Sequence, residues 1–280
     1  MKILVTGGSG YLGTHVRSFF GADDFSRRSG FDVTSDYDCE KVADYDVVIH
    51  LAALLDKAEE AAESCFRTNA EGTANLLRRA RPGTVFVYAS TKDVYGANAE
   101  GYEEVPETCP TDYRGQTALE WSKLMGERYV EYYAARLNLR ACVFRLSATY
   151  ARPSEGNEPG FVAHYVESLK RRRPIRLPAQ GAPVRDILHV EDFSRACRAF
   201  IDSRRRAGLY NLGGGRQNAA TLREMIETVS RAVEIEPVFD DAGQLPDPVP
   251  FDYVSDLTRV RGELDWQPRI GIEEGLQSLL

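Results

Sequence analysis

Three glycines, Gly7, Gly10 and Gly13, sit in the run Gly7-Gly8-Ser9-Gly10-Tyr11-Leu12-Gly13, directly behind the apolar segment Lys2 to Thr6. An apolar, β-branched run that ends in glycine reads as a buried parallel strand, and the residues that follow, to about Phe20, read as a helix. Glycines between a strand and a helix permit a tight turn and close backbone approach, and the helix N-terminus attracts a pyrophosphate. The expected chemistry is dinucleotide binding, with Tyr11 and Leu12 in the same turn. A short second strand near Asp24 to Ser26 leads into Ser26-Arg27-Arg28. NAD enzymes place an acidic residue there for the ribose hydroxyls. A small hydroxyl residue and two guanidinium groups suit a 2′-phosphate instead, so the sequence favours NADP(H) over NAD(H). Asp32-Val33 follows, where an acidic side chain can meet the adenine edge.

The elements that must position these residues alternate. Apolar strands are expected at Asp46 to Ala53, Thr84 to Ser90 and Arg140 to Leu146, and helices at Glu59 to Ala80 and Thr117 to Leu137. Strands alternating with helices indicate an α/β fold, a Rossmann-type doubly wound parallel sheet. After Tyr150 the rhythm breaks. A Pro- and Gly-bearing loop spans Ala151 to Gly160, with a helix at Phe161 to Arg172, a short strand at Asp186 to Val190, a helix at Glu191 to Ile201 and a long loop at Asp240 to Phe251. The expected division is a dinucleotide-binding domain of residues 1–152 plus 184–212 and a smaller, discontinuous substrate lobe of 153–183 plus 213–280.

At 280 residues with 43% hydrophobic and 28% charged residues, the chain has the composition of a soluble globular protein. Its net charge of −7 argues against general nucleic-acid binding. The runs Arg171-Arg172-Arg173 and Arg204-Arg205-Arg206 read as solvated helix ends. The five cysteines show no CxxC pair and the four histidines no HExxH, so no metal site is expected and the thiols suit a reducing cytoplasm. No apolar stretch is long enough to span a bilayer, and the N-terminus does not read as a signal peptide.

Several motifs run the length of the chain: Thr6 to Gly13, His50-Leu51-Ala52-Ala53, Asn69-Ala70-Glu71-Gly72-Thr73, Ser90-Thr91-Lys92-Asp93-Val94-Tyr95-Gly96, Ser122-Lys123-Leu124-Met125-Gly126-Glu127, Val184 to Asp192, Tyr210-Asn211-Leu212-Gly213 and Glu263 to Pro268. Together they resemble the extended short-chain dehydrogenase/reductases, the group of NDP-sugar epimerases, dehydratases and related reductases. The resemblance implies that Leu51, Ala52, Ala53 and Asn69 belong to the cofactor site, the alanines along its ribose-phosphate path. Ser90 and Thr91 end the fourth strand, and Thr91 matches the hydroxyl that faces a substrate carbonyl. Lys123 is implied to hold the nicotinamide ribose, and Leu146-Ser147-Ala148 to run along the carboxamide. Extended members are often homodimers.

Against that pattern, the tyrosine expected four residues before Lys123, one helical turn away on the same face, is Leu119. The first position of the acidic pair that dehydratases carry after the threonine is Lys92, followed by Asp93. The segment between Pro110 and Lys123 has extra residues, among them Tyr113, a candidate to fold back as proton donor. Arg185 matches a position that contacts a sugar-nucleotide phosphate in relatives, or else pairs with Asp186 or Asp192. His50 and His189 read as structural. Reduction survives the loss of the tyrosine because the cofactor supplies the hydride. Oxidation of a sugar hydroxyl loses its base. The sequence therefore points first to an NADPH-dependent ketoreductase acting on an aromatic polyketide or related natural-product ketone, like the angucyclinone-type enzymes that lack the tyrosine. Thr91, Lys123, Ser90 and Tyr113 are its candidate catalytic residues, and the proton comes from the loop or the substrate. The alternatives are an NDP-sugar epimerase, dehydratase or reductase, and a non-catalytic NADP-binding protein.

Overall fold

The computed structural model describes residues 1–241, 243 and 250–280. Six parallel strands form its central sheet: β1 (Ile3–Thr6), β2 (Asp23–Phe25), β3 (Val47–His50), β4 (Val85–Thr91), β5 (Arg140–Leu146) and β6 (Ala207–Leu212). Their spatial order is β2-β1-β3-β4-β5-β6. β1 and β3 are buried along their whole length, as strands covered on both faces must be. Alternate residues serve opposite faces. Val5, Ile49 and Val87 join one apolar cluster with Val16 of helix α1 (Tyr11–Phe20), while Leu4, Val48 and Phe86 join a second with Leu76 and Leu77 of α2 (Gly72–Arg79) and Val130 of α3 (Ala118–Leu137). Helix α4 (Val190–Asp202) packs Phe193 and Cys197 on the α1 side. The strand order reverses between β1 and β3, and a cleft outside the carboxyl ends of the strands at that point is where open α/β sheets bind ligands.

Three expectations change. The helix anticipated over Glu59 to Ala80 is a chain of shorter turns, with a π-helical stretch at Phe66–Glu71 before α2. That stretch carries Asn69, whose amide bonds both Leu54 backbone groups and Ser122 Oγ, and π turns recur where a side chain must be re-aimed. The single strand anticipated at Asp186 to Val190 is two. Val184–Asp186 pairs antiparallel with Ala219–Thr221, and Leu188–His189 pairs parallel with Thr149–Tyr150. The break falls at Ile187, because the buried Asp186 carboxylate is fixed by Ser147 Oγ and the amides of Gly215 and Ser255. Finally, Leu257, Val260, Leu264 and Trp266, within the expected substrate lobe, pack into the α1/α4 face of the large sheet.

The rest of the lobe has its own core. Val162, Val166 and Leu169 of the helix Phe161–Lys170 meet Met225, Ile226 and Val229 of Leu222–Val233 and Leu276 of Ile272–Gln277. Phe239–Asp241 is a strand paired with Ile175–Leu177, and most of the loop anticipated at Asp240 to Phe251 lies outside the described residues. No helix among the described residues is long and apolar enough to cross a membrane.

Candidate active site

A cleft of about 1100 Å³ opens at the β1/β3 switch point. One end is built by the glycine turn. Gly7 has φ +68° and donates to Phe25 O, and Gly10 N returns to Gly7 O at 2.9 Å. A Cβ on Gly7 would stand 2.8 Å from Ala52 N, and one on Gly13 would stand 2.0 Å from Gly7 O. The turn thus admits only glycine at these places, and it aims the N-terminus of α1 into the cleft, as a pyrophosphate requires. Tyr11, Leu12, Leu51, Ala52 and Ala53 line the same end, with Ser26, Arg27, Arg28, Asp32 and Val33 beyond. The residues present fit a dinucleotide.

The two arginines differ. Arg28 is occupied: Nη1 donates to Ser9 O at 3.1 Å and Asn157 Oδ1 at 2.9 Å, and Nη2 to Gly156 O at 2.7 Å. It ties the loop after Tyr150 across the glycine turn, where Tyr11 Oη also donates to Ala151 O at 2.6 Å. Arg27 makes no such bond among the described residues and is exposed at the cleft. Sequence reasoning passed over Asp24. Its Oδ2 accepts from Ser9 Oγ and from Ser26 Oγ and pairs with Arg17 at 3.3 Å, while Oδ1 is buried against Gly8 without a hydrogen-bond partner. Asp24 does not line the cleft.

At the other end stand Thr91, Lys123, Ser90, Leu146 and Ser147, together as expected. Lys123 rises from α3 and donates to Ala89 O at 2.8 Å, and burial pushes its pKa down to about 8. Thr91 Oγ1 accepts from the Asp93 amide at 3.2 Å, capping the turn that follows β4. Beneath them lies a buried ion pair. Glu127 receives Arg145 Nε at 3.0 Å and Nη2 at 2.7 Å, and also Ser90 Oγ at 2.6 Å. Glu127 lies four residues beyond Lys123, one turn along the same face, and that spacing was the available signal for it.

A second charged group reaches into the cleft. Lys57 Nζ lies 3.1 Å from Asp93 Oδ2 and 2.9 Å from Glu120 Oε1, and Asp93 Oδ1 pairs with Lys92 at 2.5 Å. Burial raises the Asp93 pKa, but Lys92 and Lys57 outweigh it and hold the carboxyl well below the usual carboxylate range. Lys57, Lys92, Asp93 and Arg67 all line the cleft. Nothing in the sequence pattern pairs Lys57 with Glu120.

Some expected residues are not brought in. Tyr113 packs its ring on Gly96 and does not line the cleft. Asn69 is buried behind it, holding Leu54 and Ser122. Leu119 is buried as well and lies outside the lining. Arg185 lines the cleft, yet its guanidinium pairs with neither Asp186 nor Asp192. It donates to the carbonyls of Val184, Pro250 and Phe251. His50 is structural, held between Thr6 Oγ1 and Thr73 Oγ1, with its pKa lowered to about 3 by burial and by Lys123.

The sheet, the glycine turn and the cleft at the switch point define a dinucleotide-binding α/β protein of the extended short-chain dehydrogenase/reductase type. The family model described as the NAD dependent epimerase/dehydratase family matches residues 3–213, and the chain belongs to that family. A dTDP-glucose 4,6-dehydratase of Streptomyces griseus is 31% identical over 247 residues, 84% of this chain and 70% of that protein. The CDP-paratose 2-epimerase of Salmonella typhi is 26% identical over 333 residues, covering 100% of this chain and 98% of its own. Among solved structures, RMD from Pseudomonas aeruginosa complexed with NADPH superposes with a TM-score of 0.84 at 22% identity, covering 100% and 98% of the two chains. MoeE5 in complex with UDP-glucuronic acid and NAD gives 0.85 at 22%, covering 99% and 97%. These structures share the fold. The curated relatives are named for nucleotide-linked sugars, and the polyketide expectation finds no support in them.

Proposed function

We propose that this protein is an NADPH-dependent reductase of a keto group on a nucleotide-linked sugar. The observation that carries the reading is the pairing of a retained Thr91 and Lys123 in the cleft with a leucine at position 119 that lies outside it. Removing a proton from a sugar hydroxyl, the first step of epimerisation or dehydration, would need a base that Leu119 cannot be. Stabilising a developing alkoxide needs polar groups at the reaction end, and Thr91 and Lys123 line the cleft there. A reduced nicotinamide supplies the hydride. The names of the relatives favour a nucleotide sugar over a free ketone. So does the cleft, whose lining includes Lys57, Arg67, Lys92 and Lys123 in a chain of net charge −7. On this reading the sugar sits between the dinucleotide-binding domain, 1–152 plus 184–212, and the lobe of 153–183 plus 213–280, apart from the Leu257 to Trp266 segment that packs on the large sheet.

The preference for NADP(H) rests on Ser26 and Arg27 at the cleft, with the Asp24 carboxylate turned to Ser9, Ser26 and Arg17. Arg27→Ala is expected to weaken NADPH binding about 10- to 100-fold, the worth of a hydrogen bond to a charged group, and to leave NADH binding unchanged. Fluorescence titration of both cofactors checks this, and a wild-type preference for NADH would assign the ribose to Asp24 instead. The function itself is tested by NADPH consumption with UDP-, dTDP- and CDP-linked 4-keto sugars beside sugar-free ketones and phenolic polyketide ketones. Turnover confined to the nucleotide sugars is expected, and turnover confined to the polyketides would restore the other reading.

A further inference from the structure

Loss of the tyrosine leaves the reaction end without a neutral acid, and the same helix turn supplies something else. Glu120, the neighbour of Leu119, is fully buried. Its Oε2 closes the cap of α3, accepting from Thr117 N at 2.9 Å and from Thr117 Oγ1, and its Oε1 holds Lys57 Nζ at 2.9 Å. Asp93 Oδ2 holds the same nitrogen at 3.1 Å. The Asp93 backbone amide meanwhile bonds Thr91 Oγ1, so a single residue links Lys57 to the hydroxyl at the end of β4. An ammonium has three N–H bonds. One of them bonds Asp93 Oδ2, Glu120 Oε1 pairs with the charge at 2.9 Å, and the side chain lines the cleft at 31% exposure.

We propose that Lys57 is the proton donor of the reduction, placed by Glu120 and Asp93 where the helix no longer offers a tyrosine. The proposal rests on the reductase reading above. The carbonyl carbon accepts the hydride, the π pair moves onto oxygen, and that oxygen takes a proton from Lys57 Nζ, leaving a neutral amine. The carbonyl is reduced to an alcohol as the nicotinamide is oxidised. The amine regains its proton from solvent through its exposed side. An alkoxide is a stronger base than an amine, so the transfer runs downhill. Burial lowers the Lys57 pKa, but Asp93 and Glu120 outweigh it and raise it above the ordinary lysine value, so the donor is charged throughout the neutral range and recharges readily.

The other cations of the cleft fit this role less well. Lys92 is buried, paired with Asp93 and stacked 5.1 Å from the centre of the Tyr253 ring. Lys123 is buried and bonded to Ala89 O.

The test compares Lys57→Met and Lys57→Arg with wild type, using NADPH and a dTDP-linked 4-keto-6-deoxyhexose. Arginine keeps the charge and can keep both carboxylate contacts, so K57R is expected to fold, but a guanidinium does not give up its proton. Both variants are expected to lose about 100- to 10,000-fold in kcat, the usual worth of general acid assistance. NADPH affinity by fluorescence and the melting temperature of K57R should stay close to wild type, and methylamine should restore part of the K57M rate. A K57R that keeps the wild-type rate would reduce Lys57 to a fixed charge and overturn the proposal. So would a K57M that keeps it. If wild type reduces no nucleotide-linked keto sugar, the reductase reading fails and this proposal falls with it, an outcome distinct from turnover that the variants retain.

Discussion

Replacing Glu127 by leucine is expected to lower the free energy of unfolding by about 3–5 kcal/mol, because it strands a buried guanidinium. Arg145 gives both Nε and Nη2 to Glu127, and only about 4% of the arginine is exposed. Burial works against the charge on Arg145, but Glu127 outweighs it and raises the guanidinium pKa, so the charge has no means of leaving when its partner does. The face of Tyr95, 4.8 Å from the guanidinium, compensates only in part. Since domains are stable by about 5–15 kcal/mol, such a loss takes a large share of the total. Urea denaturation of Glu127→Leu, Arg145→Leu and the double variant checks the account. The double variant should recover most of the loss, because two apolar residues need no partners. A double-variant loss equal to the sum of the two single losses would mean that the pair is not coupled. The same substitution frees Ser90 Oγ, so turnover should fall along with stability.

Lys123→Met should do the reverse, trading activity for stability. Burial pushes Lys123 down to about 8 from 10.5. Holding it charged at neutral pH therefore costs on the order of 3 kcal/mol. Methionine removes that cost and leaves Ala89 O without its donor, a loss of about 1–2 kcal/mol. The net gain should appear as a rise of a few degrees in Tm. Turnover should fall by about a hundredfold or more, the worth of one donor aimed at a developing oxyanion. The pH dependence follows in sign. With the folded pKa depressed below the unfolded one, the unfolded chain binds more protons between about 8 and 10.5, so the Lys123 contribution to stability grows as pH rises through that window. Activity moves the other way, falling above about pH 8 as the ammonium is lost. A K123M protein that melts lower than wild type, or a kcat flat to pH 10, would contradict this picture.

How far the sequence could carry these arguments depended on range. The glycine turn, the strands on either side of it and the Thr91 and Lys123 pair were legible because each is a local pattern with one physical solution. Apolar runs end in glycine, and a hydroxyl sits at a strand end. Asp24 was missed because it lies on the strand rather than after it, and only the approach of Gly8 and Ser9 shows which way it faces. The Arg28 side chain read as a phosphate ligand until the loop at Gly156 and Asn157 folded onto it, a contact far along the chain. Lys57 and Glu120 belong to separate segments, and no periodicity couples a loop lysine to a helix cap. The Asp186 to Val190 run read as one strand because apolar alternation hides a kink. The kink is set by a buried carboxylate whose donors, Ser147, Gly215 and Ser255, come from three other segments.

Leu119 gains its meaning from the same contrast. As a sequence position it is an absence. In the fold it is a buried residue one step before Glu120, outside the cleft, while Lys57 stands inside it.

The most direct test of the reductase reading uses NADPH carrying deuterium at the transferable C4 position, incubated with the protein and a dTDP-linked 4-keto-6-deoxyhexose. Mass spectrometry of the nucleotide sugar should show one deuterium on the former carbonyl carbon for each NADPH consumed. Consumption of NADPH without deuterium in the sugar, or no consumption with any nucleotide-linked ketone, would contradict the account.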